Sequence, residues 1–300
     1  MPELPEVEVL VRHLRPVLIK RSIVSVQVRR ARVIRPTTPR QLRQVLRRAR
    51  FVGLRRRGKY LVFELHSQSG KPITLVGHLG MTGRMYLLPY EAPLPKHAAI
   101  VMDLNRERFV FEDTRYFGRL TLDDAALQRL GMEPLDPEFT PEKFARGLRR
   151  SAQPIKVKLL NQALVAGIGN IYASESLFRA GISPKKRAGA LKPRQVERLW
   201  HSIREVLNEA IERGSTIPLA YDGSGTNDGL FYFGLAPDTQ DDYEERFRVY
   251  DRAGQPCLKC GNRIRRLVQA ARSTYFCPVC QSSREKQSHE ATAHRTSRHR

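Results

Sequence analysis

The chain lacks long apolar segments. No apolar run in its 300 residues approaches the roughly 20 residues that span a bilayer. The opening segment MPELPEVEVLVRHLRP carries three glutamates before its first arginine, which is unlike the charged-then-apolar order of a secretion signal. We therefore expect a cytoplasmic protein with no membrane partner.

Acidic residues are also in short supply. The chain has 30 Asp and Glu against 53 Lys and Arg, which gives a formal net charge of +23 and an isoelectric point near 10.5. Such an excess attracts polyanions, and basic contacts to phosphate release the counterions condensed on nucleic acid. The charge balance predicts a nucleic-acid partner and a nucleoid-associated location. A generally basic surface or a membrane-surface protein is the alternative.

Cysteine is scarce, and all four cysteines lie near the C-terminus. They form two C-x2-C pairs that are separated by sixteen residues, namely Cys257, Cys260, Cys277 and Cys280. A disulfide framework would be spread along a small secreted chain, whereas two such pairs are typical of tetrahedral zinc sites. We predict one structural Zn²⁺ that closes a small hairpin. Four reduced cysteines without a metal are the alternative.

The first 130 or so residues are predicted to be mainly β-structure behind a leading helix. Apolar residues fall at helical spacing over 5–19, and Pro5 suits a first helical turn. Residues 40–50 are predicted to be helical. Period-two alternation predicts strands over 22–30, 59–65, 73–78, 84–88, 99–104 and 108–112.

The pattern changes after a proline-rich connection at 131–154. A long loop rich in Gly, Asp and Thr is predicted at 214–242, and short strands accompany the cysteines at 243–283. The tail at 284–300 has too few apolar residues to pack, so disorder is expected there. Helices are predicted over 155–165, 170–180 and 192–213, and a short helical turn is predicted near 142–149.

The residues after Met1 contain a reactive pair. Removal of Met1, which is usual before a residue as small as proline, would leave Pro2 with a free secondary amine beside the Glu3 carboxylate. An α-amino group has a pKa near 8, against about 10.4 for lysine, so more of it is neutral and nucleophilic at physiological pH. Its attack on a sugar C1′ would give an iminium. Taken alone, a start of Met-Pro-Glu does not indicate a catalytic N-terminus, because any protein may begin in this way.

Several segments together resemble those of the bacterial formamidopyrimidine-DNA glycosylase family, also called 8-oxoguanine DNA glycosylases. The resemblance covers residues 2–281 and follows the order of the segments in the family. The matching segments are P-E-L-P-E-V-E at the start, R-G-K-Y-L at 57–61, H-L-G-M-T-G at 78–83, D-T-R-Y-F-G at 113–118, A-G-I-G-N-I-Y-A-S-E at 166–175 and the terminal zinc finger.

The resemblance implies an α+β fold. An N-terminal catalytic β-sandwich with a leading α-helix would occupy 1–133, and a helix–two-turns–helix domain would occupy 134–242, with a lesion-capping loop at 218–236. A zinc-finger hairpin at 243–283 and a disordered basic tail at 284–300 would complete the chain. A monomer would bind lesion-containing double-stranded DNA in the cleft between the sandwich and the helical part.

The resemblance also implies active-site residues and a reaction. Pro2 would be the nucleophile, Glu3 the catalytic acid or base, and Glu6 a residue that shapes the pocket. Lys59 would contact the lesion and its phosphate, although taken alone it is an ordinary solvated lysine. The implied enzyme excises 8-oxoguanine and formamidopyrimidines from duplex DNA through a Pro2 Schiff base, and then cleaves the strand by β,δ-elimination.

Three further side chains would fill the gap left when the damaged nucleotide leaves the helix. Extrusion costs a few kcal/mol of unstacking, and DNA-bending proteins commonly insert apolar side chains between base steps. Met81, Arg115 and Phe117 match the family's trio, with Arg115 facing the orphaned base. Without the resemblance, Met81 and Phe117 would more often be core residues, although nearby glycines favour loop tips.

The remaining implied DNA contacts involve phosphates. Asn170 is predicted to be the N-cap of the helix at 170–180, a position that asparagine favours. With Arg272 of the finger, which the family uses at the catalytic centre, Asn170 would bind a phosphate near the lesion. Lys156 and His97 are further candidates for phosphate contacts, and His97 taken alone would be a surface histidine.

The chain departs from the family pattern at several positions. Thr114 and Tyr116 stand where the family commonly has D-P-R-R-F-G, and Ala99 stands where a second histidine is common. The loop at 218–236 also fits the usual pattern poorly. Because that loop caps the extruded base in the family, these departures leave the lesion preference open.

Three other functions fit parts of the pattern. An endonuclease VIII-type enzyme of the same superfamily would prefer oxidised pyrimidines, but such proteins typically begin P-E-G-P-E and this chain has Leu4. A noncatalytic lesion-binding protein would have no need of Pro2, Glu3 and Lys59. An RNA-binding zinc ribbon would show no preference for lesion duplex over plain RNA.

Overall fold

The computed structural model describes residues 2–214 and 247–282. The predicted loop after residue 214, with its segment 218–236, and the tail at 284–300 lie outside the described residues. Within the part that is described, no helix has both the length and the apolar character needed to cross a bilayer.

The N-terminal domain starts with helix α1 (Leu4–Leu18) and contains a second helix, α2 (Pro39–Leu46). Thr38 caps α2 by accepting a hydrogen bond from the N–H of Gln41 at 3.2 Å. Pro39 follows at the first helical position, where its missing N–H has no cost. The strands of this domain are β1 (Ser25–Val28), β2 (Arg50–Arg57), β3 (Tyr60–His66), β4 (Pro72–His78), β5 (Gly83–Pro89), β6 (Ala98–Asp103), β7 (Glu107–Asp113) and β8 (Arg119–Thr121).

These strands form two antiparallel four-stranded sheets with the orders β1-β6-β7-β5 and β2-β3-β4-β8. Phe63 of the second sheet meets Phe109 of the first, with ring centroids 5.7 Å apart and planes at 78°. Both rings are fully buried and share one core with the apolar face of α1. The predicted β-sandwich with a leading helix is therefore confirmed.

The second domain is helical and has its own core. Its helices are α3 (Ala125–Gln128), α4 (Pro141–Leu148), α5 (Ile155–Leu159), α6 (Asn170–Arg179) and α7 (Pro193–Gly214). Helix α7 packs against α6, α4 and α1. Its Leu199, Ile203 and Leu207 share a buried cluster with Phe139 and Phe144.

Helix α1 contributes to both cores. Val7, Leu10 and Leu14 are buried in the sandwich, whereas Leu4 is buried with the helical domain. The N–H of Leu4 also donates to the carbonyl of Gly167 at 3.1 Å. The first turn of α1 is thus built into the second domain, so the start of the chain lies where the two domains meet.

The described residues 247–282 contain a hairpin of β9 (Arg265–Gln269) and β10 (Arg272–Phe276). The buried carboxylate of Glu175, on α6, accepts hydrogen bonds from three consecutive backbone N–H groups at 248–250, at 2.9, 2.9 and 2.8 Å. At the other end of the finger, Gln281 donates its side-chain amide to the Ile182 carbonyl at 2.9 Å. These bonds fix the finger to the helical domain.

Strand β2 corrects the prediction of a helix over 40–50. The helix ends at Leu46, and Arg48 has a positive φ of 59°, which a right-handed helix does not accommodate. In β2 itself Phe51 and Leu54 are buried, whereas its four arginines are exposed or only partly buried. The arginines outnumber the buried residues, and this composition hid the strand pattern.

One prediction in the helical part is also corrected. The helix expected over 155–165 ends at Leu159, because the two turns that lead into α6 begin there. The short helical turn predicted near 142–149 is confirmed as α4, which lies within the proline-rich connection. Its N-cap Thr140 accepts a hydrogen bond from the N–H of Lys143 at 3.3 Å.

A group of ion pairs ties the sandwich to the connection between the domains. Glu133 accepts hydrogen bonds from Arg56 at 2.6 Å, from Arg57 at 2.8 Å and from the N–H of Gly58 at 2.5 Å. Arg56 also donates to Glu8 of α1 at 2.9 Å, and only 10% of its side chain is exposed. The β2–β3 turn is therefore held by a carboxylate from the second part of the chain.

Replacing Glu133 tests this tie. The substitution Glu133→Ala leaves two partly buried guanidinium groups without their shared partner, and we expect it to lower the free energy of unfolding by roughly 2–4 kcal/mol. Urea denaturation followed by circular dichroism measures the change. The matched control is Glu64→Ala, which breaks the exposed Arg55–Glu64 pair and is expected to cost less than about 1 kcal/mol. Equal effects of the two variants would contradict the assignment.

Candidate active site and nucleic-acid interface

The carboxylate of Glu3 caps the N-terminus of α6. Its Oε2 accepts hydrogen bonds from the N–H of Gly169 at 2.6 Å and of Tyr172 at 3.4 Å, and its Oε1 accepts one from Ile171 at 2.9 Å. The first N–H groups of a helix lack partners within the helix and favour negative charge. One acidic residue of the first domain therefore completes a helix of the second, and its side chain is buried with only 2% exposed.

This arrangement corrects the prediction that Asn170 is the N-cap of α6. The cap position is Gly169, and Asn170 is the first helical residue. Glycine leaves the space that the Glu3 carboxylate occupies, because a Cβ at position 169 would lie 2.3 Å from Cδ of Glu3. The capping oxygen comes from a residue 166 positions earlier in the chain, so no local pattern could have revealed it.

Pro2 precedes Glu3 and is itself buried. The backbone of the next residue, Leu4, is bonded to Gly167, and Gly167 has a φ of +89°. A Cβ at Gly167 would meet Leu4 side-chain atoms at 2.6 Å. The two glycines of the turn thus allow the start of the chain to approach it closely.

Glu6 lies one helical turn after Glu3 and is also buried. Its Oε2 accepts a hydrogen bond from the N–H of Glu3 at 2.7 Å, and its other oxygen accepts one from the hydroxyl of Tyr172. Burial, followed by repulsion from Glu3, raises the pKa of Glu6 to about 7. Tyr172 did not figure among the predicted site residues, although it lies within the A-G-I-G-N-I-Y-A-S-E segment.

Lys59 lies in the β2–β3 turn and is brought to the same region. Its side chain is only 7% exposed. Burial lowers the pKa of Lys59, attraction to Glu3 opposes that shift, and repulsion from Arg272 adds to it. The sequence alone would have made Lys59 a solvated lysine, whereas the structure buries it among the charged groups of the site.

Lys156 connects α5, α6 and the finger. Its fully buried Nζ donates to Oδ1 of Asn170 at 2.8 Å and to the carbonyl of Ser273 at 3.1 Å. Burial lowers the pKa of Lys156 to about 7, with Glu3 opposing and Arg272 reinforcing the shift. Lys156 therefore orients Asn170 and holds the finger strand that carries Arg272, whose own side chain is exposed.

The proposed gap-filling residues stand on two exposed loops. Met81 and Phe117 are 42% and 44% exposed, so neither belongs to a core. The guanidinium of Arg115 lies over the Phe117 ring, 5.0 Å from its centroid. The nearby glycines predicted that Met81 and Phe117 lie at loop tips, and this location is confirmed.

Two arginines that the sequence did not single out flank the same loop. Arg32 lies over the Phe117 ring at 5.7 Å, and Arg30 lies over the Tyr116 ring at 5.2 Å. On the other side, His97 is 3.4 Å from the hydroxyl of Tyr116. Tyr116, which departs from the family pattern, therefore joins an exposed arginine to the predicted histidine.

His78 is a further residue of this region that sequence analysis missed. Its Nδ1 accepts a hydrogen bond from the N–H of Gly80 at 3.1 Å, directly before Met81. Burial, together with the charges of Lys59 and Arg119, lowers the pKa of His78 to about 4. A neutral ring with an accepting Nδ1 is therefore present at physiological pH.

The four cysteines come together as predicted. Their sulfur atoms all lie within 4.8 Å of one another, with Sγ–Sγ distances of 3.9 Å for Cys257–Cys280 and 3.5 Å for Cys260–Cys277. A tetrahedral ion with Zn–S bonds of about 2.3 Å requires sulfur separations of about 3.8 Å. The set fits one structural Zn²⁺ with no ligand position left for catalysis.

The fold and the site define a zinc-finger protein with a cation-rich surface for nucleic acid. Three family models match it: the formamidopyrimidine-DNA glycosylase N-terminal domain over residues 1–120, the H2TH domain of the same glycosylase over 130–220, and the zinc finger found in FPG and IleRS over 254–282. The chain belongs to the formamidopyrimidine-DNA glycosylase family.

Relatives cover nearly the whole chain. The formamidopyrimidine-DNA glycosylase of Symbiobacterium thermophilum is 44% identical over 290 residues, which is 94% of this chain and 89% of the relative. The protein of the same name from Chloroflexus aurantiacus is 40% identical, covering 94% and 98% of the two chains.

Solved structures of similar fold contain damaged DNA. The complex between Lactococcus lactis Fpg and abasic-site DNA is 34% identical with a TM-score of 0.80, covering 93% of this chain and 99% of that one. MutM in complex with carbocyclic 8-oxo-G DNA is also 34% identical, with a TM-score of 0.81 and coverage of 94% and 100%.

The glycine before α6 allows a test of the Glu3 position. The substitution Gly169→Ala places a methyl group in the space of the Glu3 carboxylate, which is the movable end of a side chain. We expect the variant to fold while single-turnover excision of a lesion base falls at least about 100-fold, the effect of losing a positioned catalytic group. Gel electrophoresis of end-labelled duplex measures the rate.

The matched control for this test is Gly53→Ala. A Cβ at Gly53 would displace the carboxylate of Glu64 in the same way, at 2.3 Å from Oε2, but Glu64 is exposed and pairs with Arg55 on the sandwich. We expect the control to keep the full rate. Equal activity of Gly169→Ala and the wild type would show that the position of Glu3 is unimportant.

Glu6 generates a prediction about pH and stability. Its pKa is about 7 in the folded protein and about 4.3 in an unfolded chain. The stabilisation that comes from its bound proton is fully present below the unfolded value and is lost as pH rises through the folded value. The Glu6→Gln variant imitates the neutral acid and has no proton to lose.

We therefore expect Glu6→Gln to gain stability relative to the wild type as pH rises from 4.5 to 7.5, by up to roughly 3 kcal/mol. Urea unfolding of both proteins across this range measures the difference in free energy of unfolding. A difference that does not change with pH would mean that Glu6 titrates normally in the folded protein.

Proposed function

We propose that this protein is a DNA glycosylase and abasic-site lyase that excises oxidised purines from duplex DNA, with Pro2 as its nucleophile. The observation that carries the proposal is the anchoring of Glu3, next to Pro2, on the turn before α6. After loss of Met1, Pro2 would carry an amine with a pKa near 8, a substantial fraction of which is neutral at pH 7 to 8.

The proposed chemistry needs one nucleophile and one proton carrier. The Pro2 nitrogen bonds to C1′ of the damaged nucleotide, and the base leaves with the electrons of the glycosidic bond. The sugar ring opens to an iminium, and Glu3 exchanges the protons that these steps need. Elimination of the 3′ phosphate and then of the 5′ phosphate would leave a one-nucleotide gap.

The basic residues of the site suit the phosphates that flank this sugar. Lys59 and Lys156 each interact electrostatically with Glu3 and with Arg272. Asn170, held by Lys156, stands at the positive end of α6. We assign Asn170 and Arg272 to a phosphate contact beside the lesion, with Lys59 closer to the reacting sugar and Lys156 in support.

Duplex DNA is the partner that the remaining surface fits. Met81, Arg115 and Phe117 are exposed on neighbouring loops and would enter the gap left by the extruded nucleotide. Arg30 and Arg32 beside them add positive charge where the phosphate backbone would pass. The finger, including Arg263, Arg265 and Arg266, would lie on the same duplex.

We propose a domain division at residues 133, 242 and 283, which separates the catalytic sandwich, the helical domain, the finger and the tail. The helical domain and the finger bind the phosphates, the sandwich supplies Met81, Arg115 and Phe117, and the residues before α1 supply the Pro2 nucleophile. The whole arrangement acts as a monomer on one lesion.

Oxidised purines are the favoured substrates. Structural relatives have been solved with Fapy-dG DNA and with 8-oxo-G DNA, at 34% identity. Another complex of Lactococcus lactis Fpg holds an oxidised pyrimidine, so the lesion range has to be measured for this chain. Excision rates on 8-oxoguanine:C and thymine glycol duplexes separate a purine-type enzyme from an endonuclease VIII-type one.

Borohydride trapping tests the mechanism directly. Reduction of the iminium would bond the protein covalently to lesion DNA, and digestion with mass spectrometry would locate the bond on Pro2. We expect the wild type to trap and Pro2→Gly to trap at least about tenfold less, because the secondary amine is lost. The full chain with its zinc and a panel of lesion duplexes is used.

The controls for this experiment distinguish the rival functions. An undamaged duplex and single-stranded RNA should give no adduct. Absence of any adduct with lesion DNA that is nevertheless bound tightly would favour a noncatalytic binding protein. Trapping of Pro2→Gly at the wild-type level would contradict the assignment of the nucleophile.

A further inference from the structure

The two loops that carry the gap-filling side chains are in direct contact. The first loop, Leu79–Thr82, carries Met81, and the second, 114–118, carries Arg115 and Phe117. A Cβ on Gly80 would lie 2.6 Å from the backbone nitrogen of Gly118. Gly80 also has a φ of +64°, so only glycine fits there without strain. The backbones of the two loops therefore pack directly against each other at this point.

A buried carboxylate lies beneath both loops. Asp113, the last residue of β7, has no exposed surface. Its Oδ1 accepts hydrogen bonds from the hydroxyl of Thr82 at 2.6 Å and from the N–H of Arg115 at 3.1 Å. Its Oδ2 accepts one from the N–H of Gly118 at 2.7 Å. One side chain thus bonds to the residue after Met81 and to residues on both sides of Phe117.

We propose that Asp113 is the positioning residue of the DNA wedge, which is the set of gap-filling side chains Met81, Arg115 and Phe117. It joins the two loops into one preformed unit, so that Met81, Arg115 and Phe117 enter the duplex together. Flexible loops would have to be ordered at the moment of insertion, and that ordering would subtract from the binding energy available for extruding the nucleotide. The proposal rests on the proposed function, since it assigns a role in base extrusion.

The hydrogen-bonding pattern requires an acceptor with two oxygens. Asp113 receives three donors and needs no donor of its own, which suits an ionised carboxylate. An asparagine offers one oxygen and one NH₂ group, so at least one loop would face a donor where it needs an acceptor. Asp113→Asn keeps the size of the side chain while it breaks the connection between the loops.

The partner residue Thr82 provides an independent test from the other loop. Thr82→Val removes the hydroxyl that donates to Asp113 and keeps the shape of the side chain, whereas Thr82→Ser keeps the hydroxyl. The serine and valine variants differ in the bond to Asp113 more than in bulk. This pair keeps the proposal falsifiable even if Asp113→Asn folds poorly.

The experiment compares two substrates under single-turnover conditions. One is a duplex with 8-oxoguanine opposite cytosine, where a stacked and paired base must be extruded. The other is the same duplex with a preformed abasic site, which has no base to unstack and is cheaper to extrude. A 2-aminopurine beside the lesion reports unstacking by its fluorescence.

We expect Asp113→Asn and Thr82→Val to slow excision of 8-oxoguanine about tenfold or more, the effect of leaving a buried polar group unpaired. Cleavage of the abasic duplex should stay within about twofold of the wild type, because the catalytic residues are intact. The 2-aminopurine signal should slow in parallel with excision. Thr82→Ser should behave as the wild type on both substrates.

Several results would overturn the proposal. If both substrates slow equally, Asp113 supports the fold as a whole and not the wedge. If Thr82→Val matches the wild type in excision and in the fluorescence signal, the bond between the loops has no role in extrusion. A wild-type protein that cleaves neither substrate would instead refute the proposed function. That result is distinct from the others, because they all require a measurable wild-type rate with which the variants are compared.

Discussion

The carboxylate of Glu3 is the interaction on which the rest of the site depends. It comes from the first residues of the chain and completes the first turn of α6 in the other domain. Because three backbone N–H groups hold it, the start of α1 is fixed where the sandwich meets the helical domain. Pro2 is adjacent to this anchor and shares its fixed position. Gly167 and Gly169 leave room for Leu4 and Glu3 to approach the turn, because a Cβ at either position would clash with these side chains.

Buried charge is the second feature that gives the site its character. Glu6, Lys59 and Lys156 are each nearly or fully buried within one connected region. Desolvation moves the pKa of Glu6 up to about 7 and that of Lys156 down to about 7. Groups of this kind exchange protons at neutral pH, which unburied carboxylates and lysines do not. The cost of burying them is offset by the hydrogen bonds that tie the domains and the finger together.

Much of the architecture could be predicted from the sequence because it rests on local patterns. The amphipathic α1, most strands of the sandwich and the cysteine pairs have short-range signatures. Strand β2 was missed because its arginines outnumber its buried residues. The helix predicted to end at 165 stops at Leu159 because a turn required for the site begins there.

The parts that could not be predicted depend on contacts between distant residues. Asn170 was expected to cap α6, but the capping group is Glu3, 166 positions away. Asp113 and Tyr172 lie inside segments that match the family, and Arg30 ends a predicted strand, yet their roles depend on neighbours from other strands and loops. Family resemblance identified the segments that matter, and the structure supplied the reasons why particular residues in them are needed.

The most direct test of this account is the structure of the borohydride-reduced complex with lesion DNA. We predict a bond between the Pro2 nitrogen and C1′, with the Glu3 carboxylate still bound to the N–H groups of Gly169 and Ile171. Met81, Arg115 and Phe117 should fill the gap in the duplex. A bond to Lys59, or a Glu3 side chain released from the turn before α6, would contradict it.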